Sequence, residues 1–198
     1  MIKNIVLDVG DVLLEYRWKE MLTDYGLSKE KAEYLGMTLF GDPLWEEFDV
    51  ALRPRQDIIS DYITKYPEYK DEIVWFMSHG ERMHLPRPDV WERVHALKEK
   101  GYGIYILSNY SKELFDIHTK DASFLEDADG MVISYQVHKI KPDAGIYNYL
   151  LEKYHLKAEE CIFFDDRPAN TEGARRVGMQ TVTVTSREQL MEELAKFL

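Results

Sequence analysis

Several chemically active side chains in this sequence follow directly after short apolar runs. Asp8 ends the run Ile5–Leu7, and the pair Asp165-Asp166 ends the run Cys161–Phe164. Runs of this length and composition predict buried β-strands. If the strands are parallel, their carboxyl ends meet at one edge of a sheet, so the acids that follow them are expected to converge.

Groups of a different kind follow the other predicted strands. Ser108 and Asn109 come after the run Tyr102–Leu107, and Lys141, in VHKIKPD, comes after Gly130–Tyr135. Hydroxyl, amide and ammonium groups donate hydrogen bonds, so they suit an anion. Each group alone also has a structural explanation, as a turn former, a helix cap or a helix entry before proline. Four such groups in order, each after a predicted strand, indicate a shared site much more strongly.

The combination of acids and donors indicates phosphoryl transfer assisted by a divalent cation. Carboxylates confined without a cation raise each other's pKa, and a hard metal ion removes that conflict. Mg²⁺ takes oxygen ligands from a few carboxylates and keeps other positions for water or a substrate phosphate. An aspartate can attack phosphorus and form an acyl phosphate, while the metal and a lysine neutralise the phosphoryl oxygens. Mg²⁺ is therefore the expected cofactor.

The composition limits the classes of partner. The chain has 198 residues, of which 45% are hydrophobic and 31% charged, and its formal net charge is -11. This predicts a globular protein with a full core, and the acidic charge argues against a binder of nucleic acid. An anionic substrate must meet a local positive group or a metal. The expected partner is a small phosphorylated metabolite, and the sequence does not indicate an oligomeric state.

The apolar stretches and the single cysteine favour a cytoplasmic location without a membrane partner. No run approaches the roughly 18 apolar residues of a membrane span. The acid at position 8 argues against a secretory signal. Cys161 has no partner for an internal disulfide, and its apolar neighbours predict a buried side chain rather than a nucleophile.

Strand-length apolar runs alternate with segments of helical period along much of the chain. This alternation predicts an α/β fold with a Rossmann-like parallel sheet flanked by helices on both faces. The expected strands are Lys3–Leu7, Tyr102–Leu107, Gly130–Tyr135, Cys161–Phe164 and Gln180–Val184. The expected helices are Asp89–Lys100, Asp143–Tyr154, Thr171–Val177 and Glu188–Leu198.

Residues 16–86 do not fit this alternation. They are rich in helix formers and aromatic side chains, and turn-forming Gly and Pro residues divide them into several segments. A crossover in a parallel sheet needs far fewer residues. The prediction is a small helical cap over residues 16–86, inserted after the first strand of a core formed by residues 1–15 and 87–198. The alternative is an elaborated helical crossover with no separate role.

In this order and context, the residues resemble the four motifs of the haloacid dehalogenase (HAD) superfamily of hydrolases. Asp8 in VLDVGDVLL matches the aspartate after the first strand, and Ser108 in ILSNYS matches the Ser or Thr after the second. Lys141 in KIKPDAGIY matches the lysine of the third motif, and FFDDRPANTEGA matches the acidic fourth motif. The resemblance extends over essentially the whole chain, and the inserted helical segment resembles the C1-type cap of this family.

The resemblance implies catalytic and substrate-binding roles. Asp8 would be the nucleophile and would form an aspartyl phosphate. Ser108 would hydrogen-bond the phosphoryl group, with Asn109 assisting. Lys141 would stabilise both Asp8 and the phosphoryl oxygens.

The resemblance also implies a metal site. Mg²⁺ would be bound by Asp8, by Asp166 and by the backbone carbonyl of Gly10, while Asp165 and Asn170 would support the metal. Together with the nucleophile, these ligands imply a phosphoric monoester hydrolase.

The sequence departs from the family at one position. Most phosphatases of the family carry a second aspartate two residues after the nucleophile, which protonates the leaving oxygen and later activates water. Gly10 stands there instead. Asp11, one residue further, is expected either to point elsewhere as a turn residue or to take over proton transfer.

The Asp-x-Gly-x-Val start also resembles a bacterial sugar-phosphatase branch acting on α-glucose 1-phosphate, which implies a sugar phosphate as substrate.

Four residues of the inserted segment are candidates for contact with the substrate because they flank a turn: Trp45, Asp49, Arg53 and Arg55. The alternative is that Trp45 belongs to the core of the segment and that the arginines are surface charges. His138 is the histidine nearest the predicted site, and none of the six histidines has the spacing of metal ligands.

Two other functions are compatible with the same motifs. A haloacid dehalogenase attacks carbon with the same aspartate and needs no metal, which fits Gly10, but the Asp165-Asp166 pair would oppose a carboxylate substrate. A catalytically weak binding or regulatory protein would keep the fold and lack the acid/base. Chloride release without metal would indicate the first function. Mg²⁺ binding without turnover of phosphate esters would indicate the second.

Overall fold

The computed structural model describes all residues of the chain, 1–198, as seven strands and twelve α-helices. The strands are β1 (Asn4–Leu7), β2 (Leu14–Tyr16), β3 (His84–Pro86), β4 (Gly103–Ser108), β5 (Gly130–Ile133), β6 (Cys161–Asp165) and β7 (Gln180–Thr183). The helices are α1 (Trp18–Tyr25), α2 (Lys29–Gly41), α3 (Pro43–Val50), α4 (Arg55–Lys65), α5 (Lys70–Ser78), α6 (Pro88–Glu99), α7 (Lys112–His118), α8 (Phe124–Asp127), α9 (Ser134–Val137), α10 (Ala144–Lys153), α11 (Pro168–Arg176) and α12 (Arg187–Ala195). None of these helices combines the length and the apolar composition that a bilayer crossing requires.

Five strands form one parallel sheet in the order β5-β4-β1-β6-β7. Successive residues of a strand point to opposite faces of the sheet. Accordingly, Ile5 and Leu7 pack in one buried apolar cluster, and Val6 packs in another. The α/β fold predicted from the sequence is therefore confirmed. Because the chain extends from β1 first toward β5 and later toward β7, a crevice opens at the carboxyl ends of the central strands.

The helices α1 to α5 lie between β2 and β3 and bury a third apolar cluster of their own, which includes Leu35, Tyr62 and Phe76. Local signals explain where two of these helices begin. Ser28 Oγ accepts a hydrogen bond from a backbone N–H in the first turn of α2, and Asp42 does the same for α3. These buried contacts make the inserted helices a packed unit beside the sheet.

A two-stranded ribbon that the sequence analysis did not predict joins the helices to the sheet. β2 and β3 pair antiparallel, with Leu14 opposite Pro86 and Tyr16 opposite His84. Each strand has only three residues, which is too short for an alternating pattern to be recognised. The ribbon places β2 next to the loop that follows β1.

The last predicted residues of the third strand form a helix instead. β5 ends at Ile133, two residues before the predicted end at Tyr135, and α9 begins at Ser134. The hydroxyl of Ser134 explains the change, because it accepts a hydrogen bond from the backbone N–H of Tyr110 and donates to the carbonyl of the same residue. α7 was not predicted either, although Ser111 precedes it as a helix cap would.

Candidate active site

The carboxyl ends of three neighbouring strands bring the predicted site residues together. β1 pairs in parallel with β4 on one side and with β6 on the other. Asp8 follows β1 and therefore lies between Ser108, the last residue of β4, and Asp165, the last residue of β6. The backbone N–H of Asp8 donates to the carbonyl of Phe164 at 2.9 Å, so the sheet extends as far as the site.

Asp8 is an almost buried carboxylate held by a hydroxyl and an ammonium group. Its exposed fraction is 7%. Ser108 Oγ donates to Asp8 Oδ1 at 2.6 Å, and Lys141 Nζ lies 2.9 Å from the same oxygen. Burial raises the pKa of Asp8 to about 6, against the opposing charge of Lys141. The Oδ2 atom of Asp8 has no hydrogen bond within the chain.

Lys141 is buried between two carboxylates. Its Nζ lies 2.5 Å from Asp165 Oδ2 and donates to the Leu107 carbonyl at 3.1 Å. Burial alone would lower the pKa of Lys141, but the charges of Asp165 and Asp8 outweigh it and raise the pKa. Asn109 fixes the backbone here, because its Nδ2 donates to the Lys141 carbonyl (2.9 Å) and its Oδ1 accepts from the Lys141 N–H (2.8 Å). The ammonium group is thus kept charged beside Asp8.

Asp165 and Asp166 are adjacent in sequence and differ in their partners. Both oxygens of Asp165 accept hydrogen bonds, from Lys141 Nζ, from Asn170 Nδ2 and from a backbone N–H of the following turn. Asp166 is half-buried and accepts no hydrogen bond from the chain. Burial, together with the nearby charge of Asp8, raises the pKa of Asp166 to about 7. Asp165 therefore anchors Lys141, whereas Asp166 presents an unpartnered carboxyl group.

The acids form a group that fits a divalent cation. One oxygen each of Asp8, Asp165 and Asp166 lies within 4.8 Å of the others. Asn170 Oδ1 is buried without a hydrogen-bond partner, because the amide is turned so that Nδ2 reaches Asp165. Carboxylate and amide oxygens are hard ligands of the kind that Mg²⁺ prefers. Gly10 lines the same cavity as Asp8, Asp166 and Asn170.

Asp8 and Asp166 line a cavity of about 640 Å³ between the sheet and the inserted helices, whereas Asp165 is fully buried. A cavity of this size suits a small molecule. The sheet side contributes polar groups and the helix side mainly apolar ones, and the lining includes Asp8, Lys141, Asp166, Phe40, Trp45 and Asp49.

The ring of Tyr16 occupies the space in front of Gly10. A Cβ atom added to Gly10 would lie 2.4 Å from Tyr16 Cε2 and 2.9 Å from the Tyr16 hydroxyl oxygen. The Tyr110 ring lies beside it, with the two ring centroids 6.2 Å apart, and both rings line the cavity. Sequence reasoning missed both tyrosines. Tyr16 reaches the site only through the β2–β3 ribbon, and no motif marks it.

Asp11 is turned away from this cavity. Its φ of 51° is in the left-handed region, which aspartate tolerates better than most residues. Its Oδ1 accepts a hydrogen bond from the Tyr16 N–H at 2.9 Å. The side chain is absent from the lining of the first cavity and lines a second cavity together with Arg87 and Asp166. Of the two expectations for Asp11, this geometry supports the turn residue.

The four candidates of the inserted segment divide into two pairs. Trp45 and Asp49 line the cavity. Arg53 forms ion pairs with acids of α3 and α4 at 2.6 and 2.7 Å on the exposed side, and Arg55 donates to a backbone carbonyl of α5. His138 does not line the cavity, and its Nδ1 lies 2.7 Å from the backbone carbonyl of the last residue of α3.

Comparison with known proteins identifies a matching family model and two proteins of similar sequence. The model of the haloacid dehalogenase-like hydrolases matches residues 2–178. Phosphatase MT3486 of Mycobacterium tuberculosis is 25% identical over 208 residues, which cover 100% of this chain and 94% of that protein. Drimenol cyclase drtB of Aspergillus calidoustus is 25% identical over 198 residues, which cover 98% of this chain and 36% of that protein. The chain therefore spans only about a third of the length of drtB.

A solved structure has the same fold. The HAD family enzyme bt-2542 of Bacteroides thetaiotaomicron, in complex with magnesium and inorganic phosphate, superposes with a TM-score of 0.72 and 21% sequence identity. The superposition covers 94% of this chain and 96% of that one. Because the family model matches most of its length, this chain belongs to the haloacid dehalogenase-like hydrolases.

Proposed function

We propose that this chain is a Mg²⁺-dependent phosphatase that hydrolyses a small phosphorylated metabolite through an aspartyl phosphate on Asp8. One observation carries the proposal. Asp8 Oδ1 lies 2.9 Å from the Lys141 ammonium group, an oxygen of Asp8 lies within 4.8 Å of the unpartnered carboxyl group of Asp166, and all three side chains line one cavity. A carboxylate flanked by an ammonium group and a metal site suits attack on a dianionic phosphoryl group.

Asp8, Asp166 and the Gly10 carbonyl would hold the Mg²⁺ ion. When bound, the ion supplies positive charge to the phosphoryl oxygens. Hydrogen bonds already occupy the oxygens of Asp165, which favours a supporting role for Asp165 and Asn170. The Bacteroides enzyme with magnesium and inorganic phosphate supports the same choice of cation.

The chain's own groups orient the nucleophile and bind the phosphoryl group. Ser108 and Lys141 hold Asp8 through Oδ1 and leave its Oδ2 free of hydrogen bonds. In this proposal Ser108 and Lys141 also contact the phosphoryl oxygens. Asn109 assists by fixing the Lys141 backbone at the edge of the cavity.

In the same proposal, residues 16–86 act as a cap over the core formed by residues 1–15 and 87–198. Phe40 and Trp45 bring aromatic faces to the cavity wall, and this wall excludes water from the reacting groups. An aromatic face also packs well against the apolar face of a sugar ring. This wall supports sugar phosphates as the substrate class, in agreement with the glycine at position 10.

A panel of sugar phosphates and other phosphorylated metabolites tests the proposal. We expect phosphate release by the parent chain with Mg²⁺, no release in EDTA, and no release by Asp8→Asn. Chloride release from a haloacid without metal would contradict the proposal in favour of a dehalogenase. Mg²⁺ binding without turnover of any ester would contradict it in favour of a non-catalytic protein.

A further inference from the structure

The proposed reaction requires a proton donor on the side of the cavity opposite Asp8. In an in-line displacement, the attacking and leaving oxygens lie on opposite sides of phosphorus. With Asp8 at the sheet edge, the leaving oxygen faces the inserted helices. This inference rests on the proposed function, and the donor must be one of the groups that line the helix side of the cavity.

Most titratable groups of the cavity are unsuited to this task. Lys141 is held between Asp8 and Asp165 on the sheet side. Arg167 also lines the cavity, but a guanidinium group does not release its proton in proteins. Burial raises the pKa of Tyr16 well above its usual value, which makes its hydroxyl a poor acid and its phenolate inaccessible.

Two carboxyl groups of the cavity lie at the metal site, and one does not. Asp8 and Asp166 belong to the group of acids that fits a divalent cation. Asp49, from the last turn of α3, is the third carboxyl group in the lining. It is half-buried, forms no ion pair and accepts no hydrogen bond from the chain. Asp49 is thus a free carboxyl group on the side where the leaving oxygen would lie.

The position of Asp49 relative to the sheet is fixed by a contact from the core. His138 lies at the end of α9, which follows β5, and its imidazole Nδ1 is 2.7 Å from the carbonyl of Val50, the residue after Asp49. This contact ties the end of α3 to the core beside the cavity. An acid or base must be held in this way to act on a bound substrate.

The electrostatic surroundings also suit proton exchange near neutral pH. Burial raises the pKa of Asp49 to about 7, with Lys141 opposing the rise and Asp8 adding to it. The charge of Arg167 acts on Asp49 from the core, and Glu46 lies on the same helix as Asp49. The hydroxyls of Tyr16, Tyr62 and Tyr110 also interact with Asp49, and the His138 imidazole contacts the carbonyl of the next residue. A general acid and base works best when its pKa lies close to the working pH.

We propose that Asp49 donates the proton to the leaving oxygen and then removes a proton from the water that hydrolyses the aspartyl phosphate. In the first half, an Asp8 oxygen bonds to phosphorus and the bond from phosphorus to the leaving oxygen breaks. That oxygen keeps the electron pair and takes the proton of Asp49. In the second half, Asp49 takes a proton from water, the water oxygen bonds to phosphorus, and the bond to Asp8 breaks. Phosphate leaves, and both side chains return to their initial states.

The dependence of the rate on the leaving group tests this role in the Mg²⁺-loaded protein. Glycerol phosphate needs a proton on its alkoxide, whereas 4-nitrophenyl phosphate releases a stable phenolate without one. We expect Asp49→Asn to reduce kcat for glycerol phosphate by about 100-fold or more. With 4-nitrophenyl phosphate, the first equivalent of nitrophenolate should appear at nearly the parental rate, and slow turnover should follow. Intact-mass measurement should then show the phosphorylated chain accumulating, because hydrolysis of the intermediate lacks its base.

A matched control lies one turn earlier on the same helix. Glu46 is exposed and does not line the cavity, so Glu46→Gln should keep the parental dependence of the rate on the leaving group and accumulate no phosphorylated chain. Asp49→Ser is a second variant without the carboxyl group. Thermal melting verifies that at least one of Asp49→Asn and Asp49→Ser is folded. We expect the same dependence on the leaving group in both.

Two results would overturn the role of Asp49 alone. The first is parental kcat for both esters in the Asp49 variants. The second is an equal loss for both esters with no early release of nitrophenolate. In either case Asp8→Asn would still abolish turnover and the phosphatase proposal would stand. If the parent chain hydrolyses neither these two esters nor any member of the metabolite panel, or if Asp8→Asn remains active, both proposals fail together.

Discussion

The ring of Tyr16 fills the space that a side chain at position 10 would need, with Tyr16 Cε2 only 2.4 Å from the position of a Cβ atom on Gly10. Tyr16 packs on the apolar clusters of both the sheet and the inserted helices, so its ring has little freedom to move. The Tyr16 ring can therefore occupy this position only because residue 10 has no side chain.

Gly10→Ala should therefore destabilise the chain. Overpacking a filled space costs about 1–3 kcal/mol, and we expect a loss in this range in urea unfolding. Gly41→Ala is the control, because nothing lies within 4 Å of a Cβ atom there. The loss should shrink in a Tyr16→Ala background. If Gly10→Ala lowered the free energy of unfolding equally in the parent and in the Tyr16→Ala background, the Tyr16 ring would not be the cause of the destabilisation.

Asp8→Asn should remove phosphatase activity, because the amide cannot form the aspartyl phosphate. We expect kcat to fall by at least about 1,000-fold. Asp11→Asn is the control, since the Asp11 side chain faces the second cavity, and its kcat should stay within about 3-fold of the parent. If Asp11→Asn lost as much activity as Asp8→Asn, Asp11 would be the proton-transfer group and our account of Asp49 would be wrong.

Loss of charge at Asp165 and at Asp166, the two adjacent aspartates at the end of β6, should change the stability of the protein in opposite directions. In EDTA at about pH 8, Asp166→Asn should raise Tm, since it removes an unpartnered charge that burial and Asp8 disfavour. Asp165→Asn should lower the free energy of unfolding by about 3–5 kcal/mol, because it leaves buried Lys141 with one partner fewer. Calorimetric titration should show weaker Mg²⁺ binding to Asp166→Asn. A fall in Tm for both variants would contradict this distinction.

The metal-free chain should lose stability as the pH rises. The pKa values of Asp8, Asp49 and Asp166 are raised to about 6, 7 and 7, above the usual value near 4 for an unfolded chain. The folded state therefore holds protons that the unfolded state has released. This stabilisation is complete below about pH 4 and is lost as the pH passes through about 6 to 7.

Buried His118, whose pKa burial lowers to about 4, adds stability as the pH rises to about 6.5 and so opposes this loss only in the lower part of the range. Because three carboxyl groups act against this histidine, we expect Tm in EDTA to fall between about pH 5 and pH 8, by at least about 2–4 °C. The fall should be smaller in the double variant Asp49→Asn/Asp166→Asn, which lacks two of the three groups. Mg²⁺ at about pH 8 should restore stability to the parent by binding the ionised carboxylates. A steeper fall in the double variant than in the parent would show that these carboxyl groups do not have raised pKa values.

Trp45 and Arg53 should differ in their effect on substrate binding. Trp45→Ala removes part of the cavity wall and should raise KM for the best sugar phosphate by about 10-fold. Arg53→Gln breaks only exposed ion pairs, so kcat/KM should stay within about 2-fold. A large rise in KM for Arg53→Gln would place that guanidinium group at the substrate instead.

The fold and the sheet side of the site could be predicted because each signal is local. Asp8, Ser108 and the 165–166 pair directly follow strands that apolar runs reveal, and parallel pairing of those strands suffices to bring them together. Lys141 follows a predicted strand too. The order of the strands is enough to predict that Ser108 lies near Asp8, but the direct hydrogen bond from Ser108 to Asp8 was not predicted.

The helix side of the site could not be predicted in the same way. Which of Trp45, Asp49, Arg53 and Arg55 reach the cavity depends on how α3 and α4 pack against the sheet, and residue spacing alone does not determine it. Tyr16 depends on the β2–β3 ribbon, whose three-residue strands have no recognisable period. These contacts arise from tertiary packing between segments that are distant in sequence.

The β2–β3 ribbon also links the two sides of the cavity mechanically. The chain leaves the sheet through β2 and returns through β3, and hydrogen bonds join these two tethers along their length. Leu14 and Tyr16 of β2 are held opposite Pro86 and His84 of β3, so the two connections between the sheet and the inserted helices form one paired unit. Tyr16 is the last residue of β2, so the place of its ring over Gly10 depends on this pairing as well as on the packing of the helices.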